Sequence, residues 1–282
     1  MYAVPNSLQE EAIFKLQGTR EASIFPGFCA HHDGALFAAV DNPASGTINR
    51  EAALLICYRT LTKELWVKEQ SLAFTLEGKT ILDRGKPIAE QVAIQNLLNF
   101  QAHQHTLGIG DLARRKARLD SLLSSDGSSL ASSFAWFAAD LGALIPVVGC
   151  GAFCCAGDFL GVECMWNHGN GFTSPETAVL IHGVVPWNGA TSVVFGWLSD
   201  DTFATACSQV ASSFSRLEVD SQRRAIIYFL FEVTENLFVR KSWWDALPDT
   251  TRTHLAGRLR EGGTNDGHRV DCLVDRGHDL LV

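Results

Sequence analysis

The chain has 282 residues, 46% hydrophobic and 19% charged, a globular composition with enough apolar residues for a sizeable core. Its formal net charge is −8, and Lys and Arg are scattered apart from the run ARRKAR at 113–118, which argues against a broad phosphate-tracking surface and leaves a local basic strip. The opening MYAVPNSLQEE lacks a basic then apolar leader, and the apolar run 141–157 is broken by Pro146 and four glycines, so the expectation is a cytoplasmic protein with no membrane partner and with most of its eight cysteines as free thiols.

In chain order, residues 11–25 carry short apolar runs around Gly18 and predict a β-hairpin or two short strands. A short helix is expected from about His31 to Val40. Asn42-Pro43 and Gly46 then break the chain. After them Ile48, Ala52, Leu55, Tyr58, Leu61 and Leu65 recur at three- to four-residue steps, the pattern of an amphipathic helix. A second helical block should run from about Ile88 to Leu123 with a break at LGIGD, where Gly108 and Gly110 permit one and Asp111 can cap the helix beyond it. Beyond the loop SSDGSS, residues 134–198 are rich in Val, Ile, Phe, Trp and Gly and poor in charge. Their clearest element is a hairpin turning at Asn188-Gly189, a dipeptide favoured in type I′ turns. Helix returns at 201–217 and from Asp220 or Ser221 to Leu237, succeeded by short helices at SWWDAL and 250–260. The sum is an α+β fold, with long N-terminal and C-terminal helices packed on a mainly antiparallel sheet at about 134–198. Residues 1–261 read as a single domain and 262–282, where glycine alternates with charge, as a disordered tail.

The most concentrated chemistry lies in Cys29-Ala30-His31-His32-Asp33. A Cys-x-x-His pair at the first turn of a helix has the spacing of the last two ligands of a treble-clef zinc site, because three residues place both side chains on one side of the turn. Cys29 and His32 are therefore metal candidates and zinc the candidate cofactor, although residues 1–28 contain no Cys or His to complete the set. Cys164 and His168 form a second, weaker pair in a segment that otherwise reads as buried strand. Two other readings of Cys29 stay open. A thiol at a helix N-terminus can be held as thiolate, and His182 or His168 could serve as its base if the sheet packs over the Cys29 helix in a papain-like layout. Alternatively Cys29 is a buried core residue, with His32 and Asp33 capping the helix. The pair Trp243-Trp244 suggests an aromatic contact surface or core, and Glu232 with Glu235 a cation site or solvated surface.

The segments ASIFPGFCAHHDGALF (22–37), NPASGT, CYRTLTKELWVK (57–68) and ENLFVRKSWWDAL (235–247) resemble a group of uncharacterised bacterial proteins with a Phe-Cys-x-x-His-Asp motif preceding Leu-Phe. Longer members of that group carry an upstream Cys/His segment, so the resemblance implies that Cys29 and His32 are the second half of a zinc knuckle like those of HNH-type nucleases. It implies, too, that the site is incomplete in this chain. The expected role is binding, toward nucleic acid or protein. A cysteine-nucleophile hydrolase using Cys29 and a purely structural interaction protein are the alternatives.

Overall fold

The structure, a computed structural model, describes residues 2–3, 14–18, 25–43, 46–124, 133–154, 156–164, 177–234, 236–265, 269–277 and 279–281. Its first helices are short, α1 (Ala30–Leu36) and α2 (Ala38–Asp41), and lead into α3 (Arg50–Ile81) and α4 (Ile88–Ser124). Asn49 starts α3 by accepting a hydrogen bond from the Ala52 amide at 2.9 Å, which satisfies one of the orphan donors of the first turn. Four strands come next: β3 (Phe134–Asp140), β4 (Val147–Phe153), β5 (Leu180–Trp187) and β6 (Ala190–Leu198). Helices α5 (Ala204–Ser215) and α6 (Val219–Val233), strand β7 (Asn236–Val239), and helices α7 (Lys241–Ala246) and α8 (Asp249–Asn265) complete the order. With the two-residue strands β1 (Tyr2–Ala3) and β2 (Lys15–Leu16), the sheet runs β2-β1-β7-β4-β5-β6-β3, antiparallel throughout. The fold is α+β.

Helices cover both faces of this sheet. On one face the N-terminal half of α3 buries Ala53, Leu54, Cys57 and Leu61 against Phe134, Ile181 and Val194. Close approach depends on two glycines: a Cβ at Gly183 would lie 2.7 Å from Ile56 Cγ2, and one at Gly196 2.5 Å from Cys57 Sγ. The opposite face packs Phe153, Phe195 and Leu180 against Phe214 on α5 and Phe229 on α6. Residues 225–232 are buried around the whole circumference of α6, because the sheet lies on one side and α8 with Leu273 and Leu280 on the other.

The hairpin turn between β5 and β6 falls at Asn188-Gly189, with φ of 46° and 83°, the two left-handed residues that a type I′ turn requires. A Cβ at Gly189 meets no atom within 4 Å, so the cost of a side chain there is conformational alone. Gly189→Val is expected to destabilise by about 1–2 kcal/mol. An unchanged urea midpoint would contradict the turn assignment.

Three expectations need correction. Helix α4 runs unbroken through Gly108 and Gly110. Each glycine costs about 1 kcal/mol relative to alanine, which packing along α3 offsets. Leu237 is not on α6: the helix ends at Val233 and Leu237 lies in β7, paired with Gly149 of β4. The described residues of 262–282 are not a loose tail. Cys272, Leu273 and Leu280 are fully buried, Trp243 Nε1 donates to the Leu280 carbonyl at 3.1 Å, and Arg224 pairs with Asp275 at 2.9 Å. Of the hairpin or strands expected over 11–25, strand β2 is found at Lys15–Leu16, while residues 11–13 and 19–24 lie outside the described residues.

Candidate metal half-site and basic strip

The Cys29 segment is held by its aromatic residues. Phe28 packs edge-on to Phe37 with ring centroids 5.1 Å apart and 5.8 Å from Tyr58 of α3, and Phe37 is fully buried. Arg59 of α3 clamps the two short helices together. It pairs with Asp33 at 3.2 Å and Asp41 at 2.6 Å, and its guanidinium lies 4.0 Å from the centroid of Phe37. Its carboxylate partners hold this guanidinium above its ordinary pKa although partial burial opposes them.

With Phe28, Phe37 and Asp33 committed to packing, Cys29 and His32 face solvent. Cys29 occupies the N-cap of α1 with extended backbone and makes no side-chain cap; its Sγ lies 3.2 Å from His32 Nδ1. A thiolate and an imidazole bound to one tetrahedral zinc would be about 3.5 Å apart, given Zn–S near 2.3 Å and Zn–N near 2.0–2.1 Å. The observed 3.2 Å is near that separation and is equally the distance of a thiol–imidazole hydrogen bond. Among the described residues no group of three His, Cys, Asp or Glu side chains is placed to hold a metal. Asp33, next in sequence, is turned toward Arg59.

His182 is not brought to Cys29. It sits fully buried on β5, with Nε2 2.8 Å from Thr234 Oγ1 and its ring edge-on to Phe229 at 4.7 Å and Phe153 at 5.7 Å, on the α6 side of the sheet. Burial pushes its pKa down to about 3. Cys29 and His182 therefore do not form a papain-like pair, and His182 is a neutral core histidine. Cys164 is buried beside the Gly157–Glu163 bridge, with its amide donating to the Ala156 carbonyl; His168 lies outside the described residues. Of the two tryptophans, Trp244 is half-buried against the core. Trp243 is buried and Trp244 stacks on Phe231 at 5.8 Å and 11°. Glu232 is buried between arginines, neither a cation site nor solvated; Glu235 lies outside the described residues.

The expectation that Cys29 is a core residue is also overturned, and the difference is measurable. Burial pushes the thiols of Cys57 and Cys207 up, and that of Cys272 up to about 12, so these stay protonated and inert. In native protein Cys29 is expected to react first with iodoacetamide among the seven described cysteines, as mapped by peptide mass spectrometry. Prior modification of Cys57 or Cys272 would contradict this placement.

The basic run 113–118 lies on α4 and is neutralised within the fold. Arg115, almost wholly buried, pairs with Asp111 and with Asp201 at 2.8 Å, and donates to the Thr177 carbonyl at 2.6 Å. Arg114 pairs with Asp111 at 2.9 Å, Lys116 with Asp120 at 3.0 Å, and Arg118 with Asp200. Of these pairings, the Asp111 to Arg115 and Lys116 to Asp120 spacings, one helical turn each, are legible in the sequence; those to Asp200 and Asp201 are not.

No protein-family model, curated protein or solved structure matches the chain. No helix among the described residues is long and apolar enough to cross a membrane.

Proposed function

We propose that the chain is a binding protein for another polypeptide, and that its Cys29–His32 turn is half of a metal knuckle. The observation that carries the choice of a polypeptide over nucleic acid is the fate of the basic strip: Arg114, Arg115, Lys116 and Arg118 each face a carboxylate of the same chain. Phosphate binding gains its free energy by releasing counterions from phosphates that protein cations neutralise, and cations already neutralised internally contribute little. A net charge of −8 adds repulsion. Fluorescence anisotropy with a labelled duplex and a labelled single strand at about 50 mM salt tests this reading, since weak salt-dependent contacts are strongest there. No saturable binding is expected; micromolar or tighter binding that weakens steeply with salt overturns it. For the metal half, elemental analysis should find less than one zinc per chain, rising to one when a Cys/His segment is fused ahead of residue 1. Failure of the fused protein to gain zinc removes the knuckle.

The contact of 3.2 Å between Cys29 and His32 favours a second reading, a thiol nucleophile activated by its own neighbour. Rapid alkylation of Cys29 at a pH well below the ordinary thiol value of about 8.5, lost in His32→Ala, would select it.

A further inference from the structure

Helices α3 and α4 have 32 and 37 residues, about 48 Å and 55 Å long. Only their sheet-proximal halves have a core to join. Beyond Glu64, α3 buries Thr75 and Gly78, and before Asp111, α4 buries Leu98. Gln95 bridges the two helices by donating to the Lys79 carbonyl at 2.8 Å, so the distal half is a two-helix arm.

Its surface is unlike that of a solvated helix pair. Eight of the fourteen exposed large hydrophobic residues among those described lie between 74 and 100, with Phe74 73% and Ile88 79% exposed. Residues 91–110 contain no Asp, Glu, Lys or Arg; Gln, Asn and His take the polar positions. Depletion of charge with retention of aromatic and aliphatic side chains is the composition of an interface core. Phe74 and Ile81 are seven residues apart on one stripe of α3, and the Gln95–Lys79 register sets Leu97 of α4 alongside them.

We propose that the distal half of the α3–α4 hairpin is a dimerisation arm that packs antiparallel on the same arm of a second copy of this chain, forming a four-helix bundle. The proposal rests on the protein-binding reading and names the partner. Charge favours a second copy: residues 66–110 carry Lys68, Lys79, Arg84 and Lys86 against Glu69, Glu77, Asp83 and Glu90, a balance of zero, whereas the whole chain carries −8. Two neutral arms of mixed sign attract or ignore each other. Antiparallel pairing keeps the acidic bodies at opposite ends of the bundle, separated by far more than the screening length of about 8 Å. Roughly 20 residues of each of two adjacent helices present a face of about 30 Å by 20 Å, or about 600 Å² per partner, which reaches the lower limit of roughly 1,200 Å² in total for a specific interface. Two helices have no interior, while four enclose one, and a two-fold axis lets one apolar stripe serve both subunits.

The test uses the full chain in sedimentation velocity across a dilution series to about 100 μM, with Phe74→Glu/Leu97→Glu as the variant and Leu160→Glu, exposed on the body, as the control. Wild type and control are expected at twice the 30.8 kDa chain mass and the arm variant at 30.8 kDa, with unchanged circular dichroism because both side chains are exposed in the single chain. A monomeric wild type, or a variant that still dimerises, overturns the proposal. A photo-crosslinking residue at position 97, used in the native cells, separates this failure from failure of the reading beneath it. Crosslinks to another protein overturn the second copy and keep the polypeptide partner, and crosslinks to nucleic acid alone overturn both.

Discussion

Glu232→Ala is expected to cost about 3–5 kcal/mol, as loss of one partner from a buried ion pair does. Glu232, on α6, is 2% exposed and stands between Arg258 of α8, at 3.2 Å and 3% exposed, and Arg269, at 2.9 Å. Its removal leaves the Arg258 guanidinium, among the described residues, with the Cys272 carbonyl and the face of Tyr228, 5.0 Å away, in a site where burial already pulls its pKa down. The variant should also release residues 269–281, so trypsin should cut at Arg269 or Arg276 before it cuts elsewhere. Glu232→Leu/Arg258→Leu is expected to recover most of the loss, since an apolar pair carries no desolvation penalty. A change in urea midpoint worth less than about 1 kcal/mol for the single variant would show that the pair does not hold the C-terminal segment.

His182 makes the second large effect, and it depends on pH. The folded protein keeps this imidazole neutral down to about pH 3, whereas the unfolded chain takes up its proton near the ordinary value of about 6.5. Between those values the unfolded state holds one more proton than the folded state, so stability rises with pH and is lost on acidification, at about 1.4 kcal/mol per pH unit. From pH 7 to pH 5 the loss from this one residue is about 2 kcal/mol. In His182→Leu the fall in urea-derived stability over that interval should be smaller by this amount, with the carboxylates common to both proteins cancelling. Equal falls would mean that water reaches the ring.

Local signals located the elements whose residues decide for themselves. The three- to four-residue recurrence from Ile48 to Leu65 marks α3, and Asn188-Gly189 marks the turn because both residues tolerate positive φ. Gly108 and Gly110 misled because glycine permits a break without demanding one, and the partner helix decides. Strand β7 is four residues whose pairing partners, β4 and β1, lie about 90 and 236 residues upstream, beyond any local pattern. At the site, the i,i+3 spacing put Cys29 beside His32, as found. What spacing could not give was exposure: Phe28 and Phe37, on either side of a seven-residue helix, pack inward, and Cys29 is left outside. The neutralised basic strip was hidden for the same reason as β7, since Asp200 and Asp201 approach it from more than 80 residues away.

The pairing of Tyr2 with Val239 sets a timetable for synthesis. Translation at about 5–20 residues per second puts roughly 10–50 s between the emergence of one and of the other. Contacts between α3 and α4 are local and can form in the interval, and β1 can pair with β2, but that two-strand ribbon has no sheet to join until β7 exists. The chain's first strand is thus laid down after the third-last helix is complete, and a ribosome stalled between residues 198 and 236 carries a finished arm on an open sheet.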